Sequence, residues 1–237
     1  MKDKTTDILI TVFKEKGQHY YITIDSIARC TQGIPYRVIT TVGMGSCAEN
    51  RNIGLKKSSA PYICIVDDDI IVTEKWLEDL HAIMEKTHAD VVVPKFIDTS
   101  TGLISSEDVV LMTEHPCSAR MRGHMTPEHG YEDILPYVFG GGAGFMLMKR
   151  EVFDRLGYYD EQFKPNQYED VDYFHRINLA GFKIVYTPEV ILFHSKLGRQ
   201  QKANPLGDAS LINWVKISEK WDYNIEDTSK IRMEWQQ

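Results

Sequence analysis

Three consecutive carboxylates, Asp67, Asp68 and Asp69, follow a continuous apolar segment at 62–66 that is typical of a buried β-strand. Like charges this close repel one another, so the arrangement is costly unless a cation compensates it. Carboxylate oxygens suit Mg²⁺ or Mn²⁺, and ligands of open α/β sheets bind at the carboxyl ends of strands. The triplet predicts a metal site that also holds a phosphate, with a solvated acidic turn as the alternative.

A second acidic group begins a predicted helix at 168–180. Glu169 and Asp172 are three residues apart and share one helix face, whereas Asp170 points elsewhere. Such a carboxylate is suited to act as a general base beside a substrate hydroxyl. It is equally suited to stabilise the helix N-terminus without any chemical role, and the residues alone leave both interpretations open.

Three weaker signals follow along the chain. The segment 139–145, FGGGAGF, lacks the G-x-G-x-x-G spacing; its glycines permit close approach of another group or form a tight bend. His194 closes an apolar segment and is a candidate metal ligand if that segment ends near the aspartates. Lys196, Arg199 and Lys202 come next, either in a mobile lid that brings positive charge to a diphosphate or in a solvated loop.

Short apolar runs alternate with helical patterns around these motifs. The alternation predicts a mostly parallel sheet built from crossover units. Residues 99–136 lack clear periodicity and are predicted to form irregular connections that carry functional loops. We expect strands at 8–13, 36–42, 62–66, 90–94, 137–149, 183–186 and 190–194, and helices at 18–29, 48–57, 74–86 (with Thr73 as N-cap), 150–156, 168–180 and 210–220.

Composition is that of an ordinary globular protein. The 237 residues include 43% hydrophobic and 26% charged residues, and 27 basic against 34 acidic side chains give a formal charge of −7. This balance argues against a nucleic-acid partner. The sequence contains neither a bilayer-spanning apolar stretch nor a signal-peptide pattern at its start, and its four cysteines are scattered, so we expect a cytoplasmic protein.

Four blocks of the chain, in order, resemble the family 2 glycosyltransferases, which are nucleotide-sugar-dependent enzymes. The blocks are residues 51–55, 65–69, 142–161 and 169–194, and the resemblance extends over about 8–194. It implies an α/β fold: a single GT-A (Rossmann-like) domain with a mostly parallel central sheet, helices on both faces and a small antiparallel addition. Within 1–237 we expect a nucleotide-sugar-binding half at 1–98, an acceptor and catalytic half at 99–194, and a lid and tail at 195–237.

The resemblance also implies roles for individual residues. It assigns a catalytic base, with a second carboxylate as the other candidate, a site for Mn²⁺ or Mg²⁺, and a donor-binding surface. The implied residues are Asp170 and Glu169 for catalysis; Asp67, Asp69 and His194 for the metal; and Arg51 and Asn52 (in a loop near the nucleotide), Asp67, Asp68, Gly142, Ala143 and Gly144 for the donor.

The implied reaction is metal-dependent, inverting transfer of a sugar from a nucleotide-diphosphate sugar to an acceptor hydroxyl. The family commonly has a base-reading carboxylate after the second strand, where this chain has Val42-Gly43-Met44-Gly45-Ser46, so UDP is a default donor nucleotide. The acceptor is a carbohydrate, a lipid-linked sugar or another hydroxyl compound. A nucleotidyltransferase using the same acidic site, and a sugar-nucleotide-binding module without turnover, are the alternatives.

Overall fold

The computed structural model describes most of the chain. The described part contains twelve strands and six helices. Over the first hundred residues, strands and helices largely alternate, as the sequence predicts. The described residues are 3–13, 15–43, 45–106, 108–112, 115–121, 126–127, 134–136, 138–142, 145–195 and 207–221.

The elements are numbered in chain order. Their bounds are β1 Thr6–Phe13, α1 Gln18–Cys30, β2 Tyr36–Gly43, α2 Cys47–Lys57, β3 Tyr62–Asp67, β4 Ile70–Ile71, α3 Trp76–Thr87, β5 Val91–Asp98, β6 Ile104–Ser106, β7 Asp108–Met112, β8 His115–Met121, β9 Leu135–Pro136, β10 Gly140–Gly141, β11 Met146–Lys149, α4 Arg150–Leu156, α5 Glu169–Leu179, β12 Ile184–His194 and α6 Gly207–Lys220.

The central sheet has the strand order β2-β1-β3-β11-β5-β12-β4, with β6 paired to β5 and β9 to β12. Its long ladders are parallel: β1 with β2, β1 with β3, and β12 with β5. β11 is inserted between β3 and β5 and is antiparallel to both. Strands β10, β7 and β8 form a separate antiparallel sheet. The predicted α/β architecture with a small antiparallel addition is confirmed.

Apolar residues cover both faces of this sheet, because successive side chains of a strand point to opposite sides. In β1, Ile8 and Ile10 pack with α1 and α3 in one core cluster. Leu9, between them, belongs to a second cluster with α2, α4 and α5. The strands are therefore fixed from both sides, and their carboxyl ends are held as a rigid edge.

Three predicted elements differ from the structure. The single strand expected at 137–149 is two strands, β10 and β11, that belong to different sheets. The other two differ for local reasons. The hydroxyl of Thr73 donates to the Ile191 carbonyl at 3.0 Å instead of capping a helix, and α3 begins later, after Lys75, which has a φ of 59°. The two strands expected at 183–186 and 190–194 are one strand, β12. A register shift between Thr187 and Ile191 accommodates Pro188 there.

Residues 99–136 were expected to be irregular, and this expectation is also wrong. Four short strands, β6 to β9, lie in this region. Each is short and pairs with a distant segment or with its own neighbour, which explains the weak periodicity. Among the helices in the described ranges, none has the length and apolar character that crossing a bilayer requires.

Candidate functional site

The acidic triplet lies at the carboxyl edge of the central sheet, at the end of β3. Asp67 is the last residue of β3, and the backbone then turns into β4. β4 pairs with the end of β12, so that His194 lies opposite Ile70. As a result, His194 Nε2 is 3.3 Å from Oδ2 of Asp69. The sheet thus brings a carboxylate and an imidazole together that are far apart in sequence.

Arg51 joins this corner to the start of α5. Its guanidinium donates to Glu169 Oε1 at 2.8 Å and to Asp67 Oδ1 at 3.1 Å. The side chains of Arg51 and Glu169 are 2% and 4% exposed, so their ion pair is shielded from water, whereas the Asp67 side chain is 28% exposed. Two acidic motifs a hundred residues apart therefore share one buried cation.

Burial shifts the pKa values of the acids in this cluster. Burial raises the pKa of Asp67, and the negative charge of Asp69 raises it further, while Arg51 opposes both. Burial, followed by the charge of Asp170, raises the pKa of Glu169 from 4.5 to about 7, again against the pull of Arg51. One guanidinium thus compensates only part of the negative charge that the fold concentrates here.

Asp170 differs from its neighbour in exposure. It is half-buried, whereas Glu169 is buried. Its Oδ1 accepts a hydrogen bond from the backbone N–H of Val171 at 2.8 Å, in the first turn of α5. An acidic side chain in the first turn of a helix interacts favourably with the helix dipole. Asp170 is therefore the member of the Glu-Asp pair that solvent or a ligand can reach.

The backbone before α5 is held in an uncommon conformation. Gln167 and Tyr168 have φ values of 72° and 71°, which place two consecutive non-glycine residues in the left-handed region. Each such residue costs on the order of 1–3 kcal/mol and persists only where its surroundings impose it. One of those surroundings is α2, because the N–H of Cys47 donates to the Pro165 carbonyl at 2.9 Å.

Arg51 and Asn52 were expected in a loop near the donor nucleotide; the loop is wrong, whereas their place near a donor stays a prediction. Both lie within α2 and both side chains are buried. The Asn52 amide donates to the Tyr159 carbonyl at 2.9 Å and to Glu161 Oε1 at 2.8 Å, and it accepts from the Tyr159 N–H at 2.8 Å. Any effect of these two side chains on a donor therefore acts through the neighbours they hold.

The glycine run packs against the protein itself. A Cβ on Gly140 would lie 2.5 Å from the ring of Phe174, and one on Gly141 would lie 2.6 Å from the Cβ of Val93. A Cβ on Gly142 would overlap the hydroxyl of Ser106. These glycines are required by close packing, and the donor contact expected for Gly142 stays a prediction. Ala143 and Gly144 lie outside the described residues, as do Lys196, Arg199 and Lys202.

The segment that replaces the family's base-reading carboxylate caps α2. The Ser46 hydroxyl accepts from the N–H of Glu49, and the Glu49 carboxylate accepts from the N–H of Ser46. This reciprocal capping box satisfies donors of the first turn. The N-terminus of α2 is thus occupied by its own side chains, and it is not an open phosphate site of the kind that helix N-termini often provide.

The corner offers ligands of the type that a divalent cation prefers. Within the part of the chain that the structure describes, no cluster of three or more His, Cys, Asp or Glu side chains is arranged to hold a metal. Asp69 and His194 nevertheless present an oxygen and a nitrogen 3.3 Å apart. Mg²⁺ and similar ions are commonly held by one or two carboxylates together with substrate phosphates. The residues fit a cation that is shared with a diphosphate.

Sequence reasoning missed Asn213 and Lys220 of α6, and Trp221 directly after this helix. Asn213 donates to three carbonyls of the segment before α5, and Trp221 and Lys220 reach Asp172 in the first turn of α5. No motif marks these residues, since the sequence predicted only a late helix at 210–220. Only the tertiary fold reveals the contact.

A model of the family described as Glycosyl transferase family 2 matches residues 23–157 of the chain. The chain is 26% identical over 159 residues to "Glycosyltransferase GlyG" of Streptococcus pneumoniae serotype 4, covering 63% of the chain and 48% of that protein. It is 24% identical over 162 residues to "O-antigen biosynthesis protein RfbC" of Myxococcus xanthus, covering 66% of the chain and 13% of that protein. The chain thus spans half or less of the length of these curated relatives.

Solved structures share the fold. GalNAc-T7, crystallised with UDP, GalNAc and Mn²⁺, superposes with a TM-score of 0.68 at 18% identity, over 92% of this chain and 49% of that one. Staphylococcus aureus TarS superposes with a TM-score of 0.58 at 13% identity, over 95% of this chain and 41% of that one. At these identities the likeness supports the predicted GT-A, Rossmann-like fold.

Proposed function

Because the chain belongs to glycosyl transferase family 2, we propose that it transfers a sugar from a nucleoside-diphosphate sugar to an acceptor hydroxyl. The buried bridge from Asp67 through Arg51 to Glu169 is the observation that supports this most strongly. It joins the acidic corner, which suits a diphosphate with its cation, to the start of α5, where a general base is available.

Asp69 and His194 would hold the cation, with Asp67 beside them as a further oxygen ligand. Their donor atoms suit Mn²⁺ or Mg²⁺. A bound divalent cation supplies positive charge that stabilises the leaving diphosphate. Arg51 acts from the buried side, where it fixes the orientation of Asp67 and favours its ionised form against the effect of burial.

Asp170 is the proposed base. Its carboxylate takes the proton of the acceptor hydroxyl while the acceptor oxygen attacks C1 of the sugar and the bond from C1 to the diphosphate breaks. This single displacement inverts the anomeric centre. General-base assistance of this kind is typically worth about 10²–10⁴-fold. Glu169 is less suited, because it is buried and bound to Arg51.

UDP-sugars are the first donors to test, since UDP and GalNAc accompany the fold neighbour GalNAc-T7. A carbohydrate acceptor is favoured by the name of the Myxococcus relative, an O-antigen biosynthesis protein. Water takes the place of the acceptor in donor hydrolysis, so turnover is measurable before the acceptor is identified. The cytoplasmic location expected from the sequence stays a prediction.

The test measures products from a panel of UDP-, GDP- and dTDP-sugars with Mn²⁺. We expect the wild-type protein to release nucleoside diphosphate. In Asp170→Asn the rate of this release should fall about 10²-fold or more, while nucleotide binding is retained. Asp154→Asn, an exposed aspartate on α4, is the matched control and should keep full turnover. Normal turnover by Asp170→Asn would remove the base assignment.

The same assay separates the alternatives. Pyrophosphate release from a nucleoside triphosphate would instead support nucleotidyl transfer. Nucleotide binding without release of any product would support a binding module without turnover.

A further inference from the structure

We infer that Asn213, on α6, is a positioning residue that fixes the segment 164–168 and thereby the direction of Asp170. This inference rests on the proposed function, in which Asp170 is the base. It assigns a catalytic purpose to a helix that lies beyond the family model's match, which ends at residue 157.

Three backbone carbonyls converge on one side chain. Asn213 Nδ2 is 2.9 Å from the carbonyl oxygen of Asn166 and 3.2 Å from those of Lys164 and Gln167. An amide nitrogen has two hydrogens, so one of these hydrogens is shared between two acceptors. Asn213 is fully buried, so in the wild-type protein its amide, and not bulk water, is the donor to these carbonyls.

These contacts act on the strained part of the backbone. Gln167, whose carbonyl Asn213 binds, and Tyr168 are the two residues with positive φ directly before Glu169. Strained conformations of this kind persist where the surrounding structure over-determines them. Cys47 in α2 binds the Pro165 carbonyl from the other side. The segment is thus held between the helix that carries Arg51 and the helix that carries Asn213.

Further contacts of α6 lie before and after the proposed base. Lys216 Nζ donates to the Gln162 carbonyl at 2.7 Å. Trp221 Nε1 donates to Asp172 Oδ1 at 3.1 Å, and Lys220 Nζ lies 2.7 Å from the same oxygen. Asp172 is two residues beyond Asp170 in the first turn of α5. The helix α6 therefore fixes both the approach to this turn and the turn itself.

A positioning role and a general structural role predict different kinetics. If Asn213 only stabilised the fold, its loss would lower the melting temperature and leave turnover by the folded fraction unchanged. If it positions Asp170, the folded enzyme itself loses kcat, because misplacing a catalytic group by about 1 Å can cost on the order of 10²-fold. Donor KM should change little, because Asn213 does not contact the Asp69–His194 corner.

The experiment compares Asn213→Ala and the near-isosteric Asn213→Asp with Ser218→Ala. Ser218 is the matched control, because it is buried on the same helix but its hydroxyl donates only to the Trp214 carbonyl. Each variant is assayed with Mn²⁺ and the donor that the wild type hydrolyses fastest. We expect kcat to fall about 10–100-fold in both Asn213 variants with donor KM within about threefold. Ser218→Ala should retain wild-type kcat.

The outcomes separate the two proposals. A wild-type protein that releases no nucleoside diphosphate would refute the proposed function. If the wild type is active and the folded Asn213 variants match Ser218→Ala in kcat, the positioning role alone is refuted. It is also refuted if kcat and donor KM of the Asn213 variants change in parallel.

If both Asn213 variants fail to fold, Lys216→Met decides the question. It removes the contact with the Gln162 carbonyl, two residues before the segment 164–168, and the 3.3 Å contact with Asn213 Oδ1. We expect a several-fold lower kcat at unchanged donor KM. A wild-type kcat in that variant would overturn the inference.

Discussion

Two groups of carboxylates lie at opposite ends of the central sheet, and they differ in how completely they are hydrogen-bonded. Asp7, near the start of β1, accepts two hydrogen bonds from Arg37, at 2.8 and 2.9 Å. It also accepts from the Ser58 hydroxyl and from the N–H groups of Ser59 and Ala60. Burial by itself would raise the pKa of Asp7, but these donors lower it to about 2.

The carboxylates at the other end have fewer donors. Asp67 and Glu169 share the single guanidinium of Arg51. The second oxygen of Glu169 has no hydrogen-bond partner among the residues that the structure describes, and its pKa is raised to about 7. Fully bonded carboxylates stabilise a fold, whereas incompletely bonded ones with raised pKa values mark functional sites. The contrast identifies which end of the sheet is prepared for a ligand.

Replacing the arginine at each end of the sheet tests this contrast most strongly. Arg51→Met leaves the buried Glu169 and the partly exposed Asp67 without compensation. Because removing one partner of a buried ion pair leaves an uncompensated buried charge, we expect the free energy of unfolding to fall by about 3–5 kcal/mol. Arg37→Met should cost clearly less, because Asp7 keeps its three other donors and Arg37 is half-exposed. Urea denaturation of both variants gives the comparison. Equal losses would mean that the two clusters are equivalent.

Cation binding should distinguish the same two ends. With UDP present and Mn²⁺ at a hundredfold its dissociation constant, we expect the free energy of unfolding to rise by about 3 kcal/mol. Asp69→Asn should abolish this increase, whereas Asp7→Asn should keep it. Thermal unfolding with and without Mn²⁺ and after chelation measures the effect, and an unchanged increase in Asp69→Asn would contradict the assigned site.

The two ends should also respond to pH with opposite sign. Because the pKa of Glu169 is raised from 4.5 to about 7, the folded state binds more protons than the unfolded state in that window. The contribution of Glu169 to stability therefore decreases as pH rises from 4.5 to 7, by at most about 1.4 kcal/mol per pH unit. The contribution of Asp7, whose pKa is lowered to about 2 from 3.8, is instead lost as pH falls through that range.

Urea denaturation of the wild type and Glu169→Gln between pH 4.5 and 8 isolates the first contribution. The difference in the free energy of unfolding between them should change across the window. A constant difference would show that Glu169 titrates with its ordinary pKa.

Much of the fold was predictable because the strands of the first hundred residues are continuous and apolar. Their alternation with helices sufficed to predict the sheet and the location of Asp67 at its carboxyl edge. The pairing of His194 with this edge was stated as a condition, and β4 fulfils it by pairing with β12. The antiparallel strands within 99–136 were missed, because short strands that pair with distant segments leave no local period.

The contacts that individual side chains make within the protein were not predictable. Arg51 was expected to face a donor, but nothing in the sequence indicates that it lies between two carboxylates. The cluster around Asp7 was not predicted either, because two of its five hydrogen bonds come from backbone N–H groups and no motif marks Arg37 or Ser58, which donate the other three. The glycine run was recognised as a place of close approach, but only the structure shows that Phe174, Val93 and Ser106 are the groups that approach.

The insertion of β11 between β3 and β5 has a consequence for synthesis on the ribosome. The strands on either side of the gap emerge first, and the strand that joins them emerges only after the whole segment 99–145 has been translated. Until then the nascent chain exposes two unpaired strand edges, which are sites for mispairing. The corner that contains Asp67, Asp69 and His194 is thus assembled late, once the second half of the polypeptide has left the exit tunnel.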